Sequence, residues 1–314
     1  MKIALISDIH ANYEALKAVE KHFRNLVNCE DQKEFEKRLG VDKDIAFWFL
    51  GDAVGRGPYP LEVLGWIRKH VHEVDENYWV VGNHEAMMMK DINNIELSLI
   101  NQLEISTAQK HFEILETDES LKNFIDEQYT KERKSIKHHL LAGKEYILAH
   151  SGFYDPLGLS HYNEPWDTYS FVPEELNWLA ENANDHQRIM VFGHTHLSTL
   201  ISGSTDNGSI HPESEMVEFF KPYDLSKRKL WMINPGSVGS PRDTDNRAAY
   251  AVLDINSNQV TFYKVAYDWR ITIREMTRKR YSANLKRRIR DAPASSRTPK
   301  AWKDHFLSMK NVVE

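Results

Sequence analysis

Aspartate, asparagine and histidine recur at five places in this chain, each time directly after a short apolar run. Asp8-Ile9-His10 follows KIALIS, Gly51-Asp52 follows IAFWFL, and Gly82-Asn83-His84-Glu85 follows YWVV. His150-Ser151-Gly152 and Gly193-His194-Thr195-His196 close two further runs. Such a set offers oxygen and nitrogen ligands, the kind that divalent transition metals take. Two cations about 3.5–4 Å apart need a carboxylate that both can share, several imidazoles, and open positions for water and phosphate. Asp52, alone on its loop, is the natural shared carboxylate. Asp8, His10 and one of His194 and His196 complete one site; Asn83, His150 and the other histidine complete the second. Such a centre can activate a water and neutralise the charge of a phosphate. A single D-x-H or G-D is ordinary turn chemistry, whereas five compatible motifs in order are not.

The elements that must position these residues follow from that requirement. Open α/β sheets bind ligands outside the carboxyl ends of their strands, so five strand ends have to meet at one edge. Lys2–Ser7, Ile45–Leu50 and Tyr78–Val81 read as buried strands, and strand signals resume at Glu145–Ala149, Arg188–Phe192, Leu230–Ile233, Tyr250–Leu253 and Val260–Val265. Asn12 caps a helix through about Leu26, with Ala15, Val19, Phe23 and Leu26 on one face. Pro60 opens a second helix through about His70. From about Ala86 to Tyr129 the pattern is helical and polar, as inserted cap helices would be. Segments 155–172 and 203–228 lack periodicity and read as loops. The sequence predicts an α/β protein with one or two mixed sheets.

Composition narrows the class. The 314 residues are 41% hydrophobic and 27% charged, which suits a globular chain. Cys29 stands alone, which excludes an internal disulfide and a Cys-rich zinc module, while the fifteen histidines leave nitrogen and oxygen ligation open. The N-terminus lacks the features of a signal peptide and no apolar run approaches the ~20 residues that cross a bilayer, so a cytoplasmic protein is expected. The net charge of -6 is uneven. Residues 269–304 hold twelve Lys and Arg against Glu275, Asp291 and Asp304, a balance of +9 that leaves -15 on the rest.

The motif series resembles the calcineurin-like metallophosphoesterase superfamily, written D-x-H, G-D, G-N-H-[ED], H and G-H-x-H, over about residues 1–268. NPGSVGSPRD at 234–243 and the later Tyr267-Asp268 are similar to its small bacterial and archaeal phosphodiesterase branch. GDAVGRGP at 51–58 is similar to the loop of its protein Ser/Thr phosphatase and diadenosine-tetraphosphatase branches. The resemblance implies a four-layer αββα sandwich of two mixed β-sheets flanked by helices, with a helical cap inserted at about 86–130. Residues 269–314 would form a basic helical extension. It also implies two metal ions (Mn, Fe, Zn or Ni), one held by Asp8, His10, Asp52 and His196, the other by Asp52, Asn83, His150 and His194. His84 would be the histidine beside the scissile oxygen, with Glu85 or Asp8 as orienting partner, and Arg56 would meet substrate phosphate.

Several residues carry a plainer reading beside the functional one. Arg242 either contacts substrate or pairs with Asp243 in its turn, and Asn234 holds its own turn. Met87, Met88 and Met89 are core filler. His161, Tyr162 and Trp166 either stack on a base or anchor their loop. The expected substrate is a small phosphodiester, nucleotide or dinucleoside polyphosphate, with a phosphomonoester or phosphoprotein as the alternative. A reading of another class is a protein that binds nucleic acid or a partner through the basic tail; a terminal helix packed on the acidic body explains the same charges.

Overall fold

The structure is a computed structural model that describes residues 1–40, 43–91, 99–132, 136–158, 172–181, 186–206, 209–215 and 217–293. The opening run KIALI forms β1 (Lys2–Ile6), buried after its first residue, and its neighbour IAFWF forms β2 (Ile45–Phe49), buried throughout. They pair in parallel, Ile6 opposite Phe49, so the two chains leave the sheet side by side at Ser7 and Leu50. The chain between them folds as α1 (Tyr13–Leu26) and α2 (Gln32–Arg38). Asn12 caps α1 through its side chain, as expected, and Ala15, Val19 and Phe23 are buried.

After β2 come α3 (Pro60–Ile67), extended by a π-helical turn at Arg68–His72, then α4 (Asn83–Met88), α5 (Leu99–Leu115) and α6 (Glu119–Glu132). Tyr78–Val81 is not a strand. A 3-10 turn capped by Asp75 takes Glu76–Tyr78, and the chain beyond makes one bridge, Phe49 to Trp79, before α4 begins. The segment nonetheless runs along β2, with the Val80 N–H donating to Phe49 O at 3.1 Å, and it delivers Asn83 to the same edge.

The second sheet opens with β3 (Lys137–Leu141) and β4 (Lys144–Leu148), followed by α7 (Val172–Glu181) and β5 (Gln187–Val191). Segment 203–228, expected as loop, instead holds the end of β6 (Ser198–Asp206) together with β7 (Ser209–Glu215) and β8 (Pro222–Asp224). β7 lies at the sheet edge, where Pro212 is tolerated because no outer neighbour needs its missing N–H. An edge hairpin with one wet face has no reason to be apolar, so its sequence reads as a loop. The chain continues through β9 (Leu230–Pro235), β10 (Ala248–Asp254) and β11 (Gln259–Val265), and the described part ends with α8 (Trp269–Arg278) and α9 (Ala283–Asp291).

The two sheets run β2-β1-β10-β11-β8 and β3-β4-β5-β9-β6-β7, each mixing parallel and antiparallel pairs. Tyr146, Leu148, Ile189, Val191 and Ile233 of the second sheet share one buried cluster with the first sheet's Ile3, Leu5, Trp48 and Phe262. α1 covers the far face of the first sheet, and α7 covers that of the second through Val172, Leu176 and Leu179. The result is the four-layer αββα sandwich. α8 and α9 close a small separate cluster of Met276, Tyr281, Leu285 and Ile289, against which Leu103 of α5 packs.

Candidate metal centre

All five chemical motifs meet at one end of the sandwich. β1 and β2 end together because they are parallel, and β4, β5 and β9 end together for the same reason, with Leu148 opposite Val191 and Val191 opposite Ile233. Asp8, His10, Asp52, Asn83, His150, His194 and His196 are all 5% exposed or less. Five of them, Asp8, His10, Asp52, His194 and His196, have positive φ between 50° and 65°. Left-handed backbone costs a non-glycine residue about 1 kcal/mol or more, and such strain concentrates where function demands a particular side-chain direction. Gly51 has φ 90°, as the turn after β2 needs, whereas Gly82 serves space: a Cβ there would strike the Asp52 carboxylate.

The ligand atoms fall into two groups that share Asp52. In the first, one atom each from Asp8, His10, Asp52 and His196 lies within 4.8 Å of all the others. His10 Nε2 is 3.1 Å from His196 Nε2 and 3.7 Å from Asp52 Oδ2, and His196 Nε2 is 3.2 Å from Asp8 Oδ1. In the second, His150 Nε2 stands 3.0 Å from Asn83 Oδ1 and 3.4 Å from Asp52 Oδ1, and His194 Nδ1 stands 3.0 Å from the same asparagine oxygen. The structure therefore groups His196 with Asp8 and His10, and His194 with Asn83 and His150.

A test of fit comes from the protons. His10 Nδ1 faces Val54 O at 3.0 Å, His150 Nδ1 faces Leu50 O at 2.6 Å and His196 Nδ1 faces Ser240 O at 2.5 Å. A ring nitrogen that faces a carbonyl carries the hydrogen, so in the neutral rings Nε2 presents a lone pair. His10 and His196 thus aim two lone pairs at each other across 3.1 Å, with the Asp8 Oδ1 acceptor beside them and lacking any hydrogen-bond partner. Arg56 Nη1, at 3.3 Å, can donate to the His196 nitrogen only, so the His10 lone pair and Asp8 Oδ1 stay without a donor, and a cation satisfies them. The backbone carbonyls behind the three rings fix tautomer and orientation, as they do for metal-ligating histidines generally.

The electrostatics divide the site. Burial, together with the Arg56 charge, holds His10 and His196 well below the usual imidazole range, and burial does the same for His194. Burial also pushes Asp8 up to about 6. Asp52 goes the other way: burial acts against ionisation, but His150 and His84 outweigh it and hold the carboxyl well below its ordinary value. His150 is raised to about 9, because Asp52 and Asp8 outweigh its burial.

Other expected residues separate. Glu85 does not orient His84. Its Oε2 accepts from the N–H of Asp52 (3.0 Å) and Gly82 (2.8 Å), and its Oε1 from those of Ala53 (2.8 Å) and Val54 (3.2 Å). Four backbone donors needing one acceptor is a stronger demand than one imidazole. His84 lies in the centre, its Nε2 3.9 Å from Asp52 Oδ2, with neither ring nitrogen hydrogen-bonded, and burial lowers it to about 4. Arg56 is buried with φ 58°; its Nη1 donates to Ser240 Oγ at 3.1 Å and stands 3.3 Å from the His196 ring nitrogens. Asn234 holds its own turn and also donates to Gly193 O, and Met87 and Met88 are core. Asp243 pairs with Lys264 at 2.7 Å, and Arg242 lies near enough to depress His194 and His196. Tyr162, His161 and Trp166 lie outside the described residues.

Sequence reasoning missed Glu104 and Arg288. Glu104 Oε2 accepts from Arg56 Nε at 3.2 Å, and its Oε1 accepts from Arg288 Nη1 at 2.6 Å. No local signal marks Glu104 on a polar helix, and the basic run containing Arg288 reads as surface.

Comparison with known proteins places this geometry. Residues 1–226 match a family model described as calcineurin-like phosphoesterase. An uncharacterized protein of Methanocaldococcus jannaschii is 29% identical over 267 residues, covering 85% of this chain and 88% of its own length. Among solved structures, a metallophosphoesterase from Sphaerobacter thermophilus superposes with TM-score 0.62 at 24% identity, over 93% of this chain and 100% of that one. A hypothetical protein from Pyrococcus horikoshii OT3 gives 0.63 at 16% identity, over 94% and 99%. Both share the fold. Among the described residues no helix is long and apolar enough to cross a membrane.

Proposed function

The chain belongs to the calcineurin-like phosphoesterase family, and on that premise we propose that it hydrolyses a phosphoester at a centre of two metal ions. The observation that carries this reading is the position of Asp52. Its Oδ1 faces His150 at 3.4 Å and its Oδ2 faces His10 at 3.7 Å, so one carboxylate serves both ligand groups. Asp8, His10, Asp52 and His196 would hold one ion, and Asp52, Asn83, His150 and His194 the other. When bound, the pair supplies Lewis acidity, acidifying a water and neutralising phosphate charge.

The remaining work falls to the chain's own side chains. Arg56 turns its Nη1 toward the ligand cluster and binds the non-bridging oxygens of the phosphate. His84 is neutral at physiological pH, has both ring nitrogens uncommitted, and donates a hydrogen bond from its one N–H to the leaving oxygen as negative charge develops there. The strained turns and the Glu85 cradle keep these groups in place before substrate arrives, so little reorganisation is needed during reaction.

The depth of the centre, with Arg56 only 1% exposed, favours a small phosphodiester, nucleotide or dinucleoside polyphosphate over a folded phosphoprotein. The test is turnover of nitrophenyl phosphate and bis-nitrophenyl phosphate by protein loaded with Mn. Hydrolysis of either, lost in Asp52→Asn and in His84→Ala, is the expected outcome. No turnover of either ester, or full activity of Asp52→Asn, overturns the reading.

A further inference from the structure

Glu104 is a fully buried carboxylate that belongs to none of the strand-end motifs. It sits in the second turn of α5 and reaches into the centre from the cap side. One oxygen accepts from Arg56 Nε at 3.2 Å, and the same oxygen lies 3.8 Å from His84 Nε2. The other oxygen accepts from Arg288 Nη1 of α9 at 2.6 Å. A buried carboxylate between two guanidiniums is well compensated, and removing either partner would leave an unpaired charge.

The consequence for Arg56 is directional. A guanidinium is a planar fork, so engaging Nε from one side fixes where the Nη groups point. With Nε held by Glu104, Nη1 is turned to Ser240 and His196, which is the phosphate side. His84 is constrained from the opposite quarter. The loop carrying Gly55 passes so close that a Cβ at Gly55 would run into the His84 ring at Nδ1. The ring's Nε2 faces two acids, Asp52 Oδ2 at 3.9 Å from the loop after β2 and Glu104 Oε2 at 3.8 Å from α5.

A second residue on the same face repeats the pattern two turns later. His111 Nδ1 accepts from the Gly55 N–H at 3.0 Å, which leaves the hydrogen on Nε2 to donate to Tyr281 Oη at 2.9 Å. Lys279 Nζ donates to Pro58 O at 2.6 Å. Residues 55–58 are thus held between α5 and the segment joining α8 to α9.

We propose that Glu104 is a positioning residue for phosphoester hydrolysis, orienting Arg56 and His84, and that Arg288 of the C-terminal extension fixes Glu104 in that role. The assignment rests on the hydrolase reading and adds to it residues outside the motif series. The basic extension is then part of the reaction machinery through two residues, Arg288 and Tyr281.

The experiment compares full-length wild type, Glu104→Gln and Arg288→Met, each loaded with Mn. Nitrophenyl phosphate and phenyl phosphate are the substrates, and metal content and inorganic phosphate inhibition are measured alongside. Misplacing a catalytic group by about 1 Å can cost ~100-fold, so Glu104→Gln should lose roughly ten- to a hundredfold in kcat at unchanged metal content. The loss should be larger for phenyl phosphate, whose poorer leaving group carries more charge and needs the His84 hydrogen bond more. Phosphate inhibition should weaken as Arg56 loses its direction. Arg288→Met, which alters a partly exposed side chain, should move all three readouts the same way by a few-fold, and it decides the matter if Glu104→Gln does not fold. Equal losses on both esters that track metal content mean a merely structural role and overturn the proposal, as does wild-type behaviour of Arg288→Met. A wild type without turnover overturns the hydrolase reading itself, and this assignment with it.

Discussion

The Asp52 N–H donates to the Glu85 carboxylate at 3.0 Å, and this bond ties the loop after β2 to the helix that carries Asn83. The same carboxylate takes the N–H groups of Gly82, Ala53 and Val54, so two of the five motifs are fastened by one buried side chain. Burial and the Asp52 charge push Glu85 up to about 7, against the pull of those donors. An acid held at that cost has a positional purpose.

Replacing Glu85 should therefore disturb both loops at once. Glu85→Ala leaves four buried donors without an acceptor, and each unsatisfied group costs about 1–3 kcal/mol. A loss of at least about 3 kcal/mol in denaturant unfolding is expected, together with loss of bound metal. Glu85→Gln keeps one acceptor oxygen and should fall between. A Glu85→Ala protein within about 1 kcal/mol of wild type would show that water replaces the carboxylate easily.

Asp52 and His196 should differ in what their loss removes. Asp52 faces both ligand groups, so Asp52→Ala should empty both sites, whereas His196→Ala should leave the Asn83, His150 and His194 group able to hold an ion. Metal content by plasma mass spectrometry checks this. Equal residual metal in the two variants would mean that Asp52 is not shared.

The parts of the centre legible in the sequence are those where chemistry and chain direction coincide locally. Asp8, His10, Asp52, His194 and His196 lie one to four residues beyond an apolar run, and parallel pairing of the runs brings them together. Asn12 likewise declares its helix by type and place. Tyr78–Val81 looked like a strand because its side chains are buried, but burial came from packing beside β2 rather than from a ladder. The β6–β7 hairpin was hidden because an edge exposed to water needs no apolar alternation. Glu104 and Arg288 were hidden for another reason: their partners are 48 and 184 residues away, and no local pattern encodes such a contact.

Lys264 is a second long-range feature, and it breaks the pattern of its own strand. It takes a buried position in β11 between the apolar positions of Val260 and Phe262 and the strand end, and it pairs with Asp243 at 2.7 Å. Breaking one side of a buried pair costs about 3–5 kcal/mol, while replacing both by apolar groups is often neutral. Lys264→Met alone should be strongly destabilising, and adding Asp243→Leu should recover most of the loss in thermal unfolding. If the double variant is no better than Lys264→Met, the unpaired Asp243 charge is not what destabilises the single variant.

Glu104 also leaves a signature in the acid limb of stability. Burial raises its pKa, but Arg56 and Arg288 outweigh burial and hold it at about 2, against an ordinary 4.5. A carboxyl depressed in the folded state gives its full stabilisation above the ordinary value and loses it as pH falls toward the folded one. At about 1.4 kcal/mol per unit, the shift corresponds to about 3 kcal/mol, lost between roughly pH 4.5 and 2. Glu104→Gln cannot titrate, so it should start less stable than wild type at pH 6 and approach it as the pH drops. Unfolding of the metal-free proteins at pH 6, 4 and 3 measures the gap. A gap that stays constant down to pH 3 would mean that Glu104 is not held ionised by the two arginines, and the bond from Arg288 would then lack the strength to fix it.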